Sequence, residues 1–197
     1  MGRTQAKIPL LIKWIFVLFL LFLITFYWAY YGPSNFLWYS DIFLFIAFFA
    51  TLFESKFLAS MAASGGLLPT FLWSLSLLVT MVAKMLGFSL FELPGYMFDE
   101  GIPIGIRSVS LFHIALFPYF IWLIHRLGYH KTAWGIQVLL IWALAFTTWL
   151  VTNEAQNINF VYSYKALSLE PIPYLVLECL VASLCVFATH CIIKKMC

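Results

Sequence analysis

The chain predicts an all-α fold: a polytopic bundle of six transmembrane helices, with N- and C-termini cytoplasmic and a single integral membrane domain over residues 1–197. Three observations lead there. Of its 197 residues, 64% are hydrophobic and 10% charged, against roughly 45–50% and about 25% in soluble domains. The apolar residues gather into runs near the ~20 residues that a helix needs to cross a bilayer. The basic residues collect at alternate ends of those runs.

The first helix is expected at 9–30. Arg3, Lys7 and Lys13 precede or open it, but the run from Ile15 to Ala29 outlasts a signal-peptide core and no A-x-A-like site follows, so it reads as retained. The second is expected at 34–54, after the turn Tyr31-Gly32-Pro33-Ser34, where Pro33 fixes φ and Ser34 can cap. The third, 57–86, is too long to stand upright, which predicts a tilt or a kink near Gly65-Gly66 and Pro69. The fourth spans 105–127, the fifth 131–152 and the sixth 172–193, approached through Pro171 and Pro173. Of the two long connections, 87–104 mixes aromatics, Gly, Pro and acids, as suits an interfacial or re-entrant segment.

Six crossings place Arg3, Lys7, Lys13, Lys56, Arg126, Lys131, Lys194 and Lys195 on one side, and Lys84, Arg107 and Lys165 on the other. That bias assigns the first side to the cytoplasm of an inner- or plasma-membrane protein. The opposite loops carry Glu92, Asp99, Glu100, Glu154 and Glu170. The net charge of +3 sits at helix ends and implies no nucleic acid. Cys179, Cys185, Cys191 and Cys197 recur every six residues, about 240° apart on a helix, so they share no face and read as apolar packing; palmitoylation of Cys191 or Cys197 is the lesser reading.

In so apolar a chain the informative residues are polar groups inside the spans. At a rise of about 1.5 Å per residue, Ser40 and Asp41 lie about 9–10 Å below the outer end of the second helix, His113 about 12 Å deep on the fourth and Glu178 about 9 Å deep on the sixth. Three helices thus place polar groups in one layer of the outer half. Arg107, Ser110 and His113 follow at i, i+3, i+6 and share a face, from which Arg107 is expected to reach Asp41 or Glu178. Asn157 and Asn159 join Arg107 and Glu178 as candidate substrate-binding groups. His125, His130 and His190 fall toward the inner side and read as solvated.

A hydroxyl and an imidazole at one depth are the minimal parts of a nucleophile–base pair. Ser40 would attack, His113 would take its proton, and Asp41 would orient or charge-stabilise the ring. Catalytic zinc asks for three protein ligands and an open position, and the outer layer holds only His113, so no metal and no cofactor is expected.

Three segments carry a family resemblance. FLWYSDIF (36–43) resembles the start of the second helix in the androgen-induced membrane hydrolases, SLFHIALFP (110–118) their catalytic-His motif, and NINFVYSY (157–164) the aromatic stretch after their fifth helix. The resemblance implies an atypical six-helix hydrolase that cleaves lipid esters through a Thr–His pair, with the nucleophile position on Ser40 and the base at His113. Ser stands where that family has Thr, and Asp41 follows directly. Membrane acyltransferases of similar shape leave the direction of acyl transfer open. The expected function is therefore a lipid-ester hydrolase or acyl-transfer enzyme acting on membrane lipid. Its alternatives are a small transporter or receptor-like bundle, or a structural subunit whose polar layer holds helices together.

Overall fold

The computed structural model describes residues 8–88 and 94–196, apart from the side chains at 165 and 166; Arg3, Lys7, Glu92 and Cys197 lie outside the described residues. The fold is all-α. Its helices are α1 (Leu10–Tyr31), α2 (Tyr39–Phe53), α3 (Lys56–Met85), α4 (Ile104–Val109), α5 (Phe112–Leu127), α6 (Ala133–Val151) and α7 (Pro171–Met196). Short 3-10 turns occupy Pro33–Leu37, Gly95–Phe98, Ile158–Phe160 and Ser163–Leu167. Among the described residues, five stretches are long and apolar enough to cross a membrane: α1, α3, α4 with α5, α6 and α7.

Two expected spans are built differently. The second helix does not run unbroken from 34. A 3-10 turn fills Pro33–Leu37, Trp38 is extended (φ −56°, ψ 134°), and α2 starts at Tyr39. The Asn159 side chain stabilises this start by accepting the Tyr39 N–H at 2.8 Å. The fourth span divides at Ser110 and Leu111, where His113 N bonds Ser110 O at 3.2 Å, the i to i−3 pattern of a tighter turn.

α3 is the hub, packing against α2, α5, α6 and α7. Its buried stripe is small: Ala59, Ala62, Ala63, Gly65 and Gly66. A Cβ on Gly66 would stand 2.5 Å from the Phe120 ring, and one on Gly65 would stand 2.6 Å from Gln137 Nε2. Glycine there lets neighbouring helices approach as they do in lipid. α3 continues as one helix through Pro69. Much of the exterior is apolar, with Leu10, Leu11, Trp14, Leu18 and Leu21 of α1 exposed. At the end where α1 and α3 begin, Lys13 pairs with Glu54 at 2.7 Å.

Candidate functional site

The break between α4 and α5 builds one polar cluster. Its tight turn points the Ser110 hydroxyl at Tyr27 of α1, with the two oxygens 2.8 Å apart and both residues buried. The Ser110 carbonyl lies 2.7 Å from Nδ1 of His113. A carbonyl only accepts, so in the neutral ring Nδ1 carries the proton and Nε2 keeps its lone pair. Nε2 makes no hydrogen bond among the described residues. The ring stacks on Trp73 of α3 at 4.3 Å and on Phe112 at 4.2 Å between centroids, which holds its plane.

Asp41 enters from the first turn of α2, where the positive end of the helix dipole favours a carboxylate. It is 2% exposed, and its Oδ1 has no hydrogen-bond partner among the described residues. A buried acceptor left unpaired costs several times what a made bond returns. Burial pushes the Tyr96 hydroxyl up to about 12, against the opposing effect of Ser110 and Trp73 beside it; Tyr31 and Asp41 add to the rise. Tyr96 therefore stays a hydrogen-bond donor throughout the neutral range.

The other expected site residues go elsewhere. Ser40 is half-buried beside Asp41, and no hydrogen bond among the described residues joins it to His113. Arg107 reaches neither Asp41 nor Glu178. Its Nη1 donates to Met97 O at 2.9 Å, tying the Gly95–Phe98 turn to α4, and its Nε is buried without a partner. Glu178 accepts from the Tyr39 hydroxyl at 3.2 Å and lies beside Cys179. Tyr39 and Asp41 are about 200° apart around α2, so Glu178 and Asp41 belong to opposite sides of that helix.

Asn157 and Asn159 hold the chain after α6. Both are left-handed, at φ 38° and 55°, a conformation that Asn tolerates better than most residues. Asn157 accepts Tyr162 N at 2.9 Å and donates to Ser163 at 3.0 Å. Asn159 accepts Tyr39 N at 2.8 Å and donates to Leu37 O at 2.8 Å. Their amides are spent on this architecture. His190 is not solvated as expected: it is buried and meets the Tyr129 hydroxyl at 2.8 Å through Nδ1. His125 and His130 are exposed. Cys179 is buried, and Cys185 and Cys191 are partly so, all three free.

Sequence reasoning passed over Tyr27 and Tyr96, which complete the cluster, and Gln137 on α6. Gln137 is fully buried, with neither amide atom hydrogen-bonded among the described residues. It was legible as the sole amide in the apolar run of its helix.

No family model, curated protein or solved structure matches the chain. The chemistry of the cluster is therefore what bears on function.

Proposed function

We propose that the chain is a multi-pass membrane protein with six crossings and cytoplasmic termini, and that the cluster around Asp41 and His113 hydrolyses, or transfers an acyl group from, a membrane lipid ester. The membrane part is supported by the long apolar helices and their exposed apolar side chains. α2, at 15 residues, covers about 22 Å as a helix and depends on the preceding 3-10 turn to complete a crossing. Lys13, Lys56, Arg126, Lys131, Lys194 and Lys195 fall at the ends that such a topology puts in the cytoplasm.

The observation that carries the chemistry is the imidazole of His113, pinned in one tautomer with Nε2 unbonded among the described residues, on a polar cluster with Ser110, Tyr27 and Tyr96 whose Tyr96 also senses the buried carboxyl of Asp41. Such a ring is set to act as a general base. Nε2 would take the proton from the Ser40 hydroxyl, or from a water, as that oxygen attacks the ester carbonyl; the proton then passes to the leaving alkoxide. The hydroxyls of Tyr27, Ser110 and Tyr96 are donors suited to the developing oxyanion. Ser40 would come against Nε2 only on substrate binding, as catalytic hydrogen bonds often tighten in the complex. The resemblance to the Thr–His membrane hydrolases agrees in putting a hydroxyl at 40 and the base at 113.

Labelling with a serine-reactive lipid phosphonate tests this reading. Parental protein should be labelled, and Ser40→Ala and His113→Ala should each lose labelling and turnover while remaining folded. Full turnover by Ser40→Ala would leave water as the attacking group. Full turnover by His113→Ala would end the proposal. The unpaired oxygen of Asp41 favours a second reading, in which the cluster binds a cation or proton in a small transporter. Ion uptake into proteoliposomes, abolished by Asp41→Asn and indifferent to Ser40→Ala, would select it.

A further inference from the structure

The end of the bundle away from Asp41 carries a second polar feature. A cavity of about 310 Å³ opens there, lined by Lys56, His125, Gly128, Tyr129, Lys131 and Lys194. These residues come from the start of α3, the end of α5, the turn between α5 and α6, and the end of α7. The turn is fastened on both flanks. Gly128 reverses the chain at φ 84°. Tyr129 then bonds His190 of α7 at 2.8 Å, and His130 N donates to Ser60 of α3 at 2.7 Å. Lysines on three separate elements thus face one space on a fixed frame.

Their charges are not answered by any carboxylate among the described residues. Lys13, at the same end, pairs with Glu54, but no described carboxylate pairs with Lys56, Lys131 or Lys194. Like charges held around one cavity repel one another unless an anion joins them.

A second cavity, of about 200 Å³, shares Ile124, His125 and Met196 with the first. Its remaining walls are apolar, among them Leu67 of α3, Phe117 and Ile121 of α5 and Ile193 of α7. Phe117 and Ile124 are two helical turns apart, so the slot follows α5 for about 10 Å. A basic chamber beside a greasy slot, with three wall residues in common, matches a ligand with an anionic head and a hydrocarbon tail.

We infer that the two joined cavities form one binding site for an anionic phospholipid, its phosphate among Lys56, Lys131 and Lys194 and an acyl chain against α5. Phosphate suits the head because lysine binds it as a point charge without fixed geometry. The site stands on the membrane part of the proposed function and not on its chemistry at His113.

The test is lipid retention by purified protein in neutral detergent, read by native mass spectrometry with phosphatidic acid, phosphatidylcholine or inorganic phosphate as probe. Phosphatidic acid should be held in clear preference to phosphatidylcholine. Each lysine near an anionic head contributes about fivefold, so K56Q/K131Q/K194Q should weaken phosphatidic acid on the order of 100-fold. All three lysines are exposed, so the variant should fold. Shortening the acyl chains to six carbons should weaken binding to the parental protein. Equal retention of phosphatidic acid by parent and triple variant would overturn the inference. Equal affinity for phosphatidic acid and inorganic phosphate would do so too, leaving a soluble-anion site. Protein that stays monodisperse without detergent would instead contradict the membrane reading, whatever it binds.

Discussion

Two buried polar groups lie on opposite sides of α2, and they are built to opposite rules. On one side Asn159 accepts Tyr39 N and donates to Leu37 O, while Glu178 receives the Tyr39 hydroxyl. On the other, Asp41 keeps an oxygen with no donor among the described residues, and on α5 the His113 ring likewise keeps a nitrogen that no described residue bonds. Burial without hydrogen bonding is costly, so a fold that needed only a polar hinge would have closed the second cluster as it closed the first. On the proposed function the satisfied group sets geometry, and the unsatisfied carboxyl beside Tyr96 is the one that meets substrate.

That contrast is most sharply tested through stability. Asn159→Ala should have the largest effect, since it strands Tyr39 N and Leu37 O together and should cost about 2–4 kcal/mol. Thermal melting in detergent reads this, and an unchanged Tm would show that the Asn159 bonds organise nothing. Gly66→Ala, on the α3 seam, should cost about 1–3 kcal/mol by driving a methyl toward Phe120. Asp41→Asn should behave in the opposite way, changing stability by no more than about 1 kcal/mol because the carboxyl it replaces already leaves an oxygen unpaired in the interior. A collapse of Tm in that variant would place Asp41 with the structural group.

The smallest effect concerns pH. Tyr96 holds its proton to about 12 in the folded state, above the ordinary 10.0. Its contribution to stability is therefore whole below pH 10 and disappears as pH rises through 12. Comparing chemical denaturation at pH 9 and pH 11.5, Tyr96→Phe should lose less stability than the parent. An identical loss would mean that the phenol is not buried.

The helices were legible because length and hydropathy suffice for a bilayer-spanning run, and α3, α6 and α7 begin and end near their expected limits. The breaks were hidden. Nothing local in Trp38 or Leu111 opposes a helix, and the start at Tyr39 depends on an amide from a residue far along the chain. Asp41 and His113 stood out as ionisable groups in apolar runs. Tyr27 did not, being one aromatic in a helix full of them. Asn157 and Asn159 stood out because polarity in a loop suggests a ligand; their left-handed backbone and its hydrogen bonds give the residue type a structural reason that the sequence hid. Arg107 was expected to seek a carboxylate, but a nearer carbonyl on the Gly95–Phe98 turn took its guanidinium.

The central claim is that the Asp41–His113 cluster works and the Asn159 cluster only holds. Lipid-ester turnover per folded molecule, measured for Asp41→Asn and Asn159→Ala beside their melting temperatures, tests it most directly. The account predicts that Asp41→Asn melts near the parental temperature with turnover lost, while Asn159→Ala melts lower with turnover per folded molecule kept. Asp41→Asn that turns over normally, or that loses activity only in step with its fold, would contradict it.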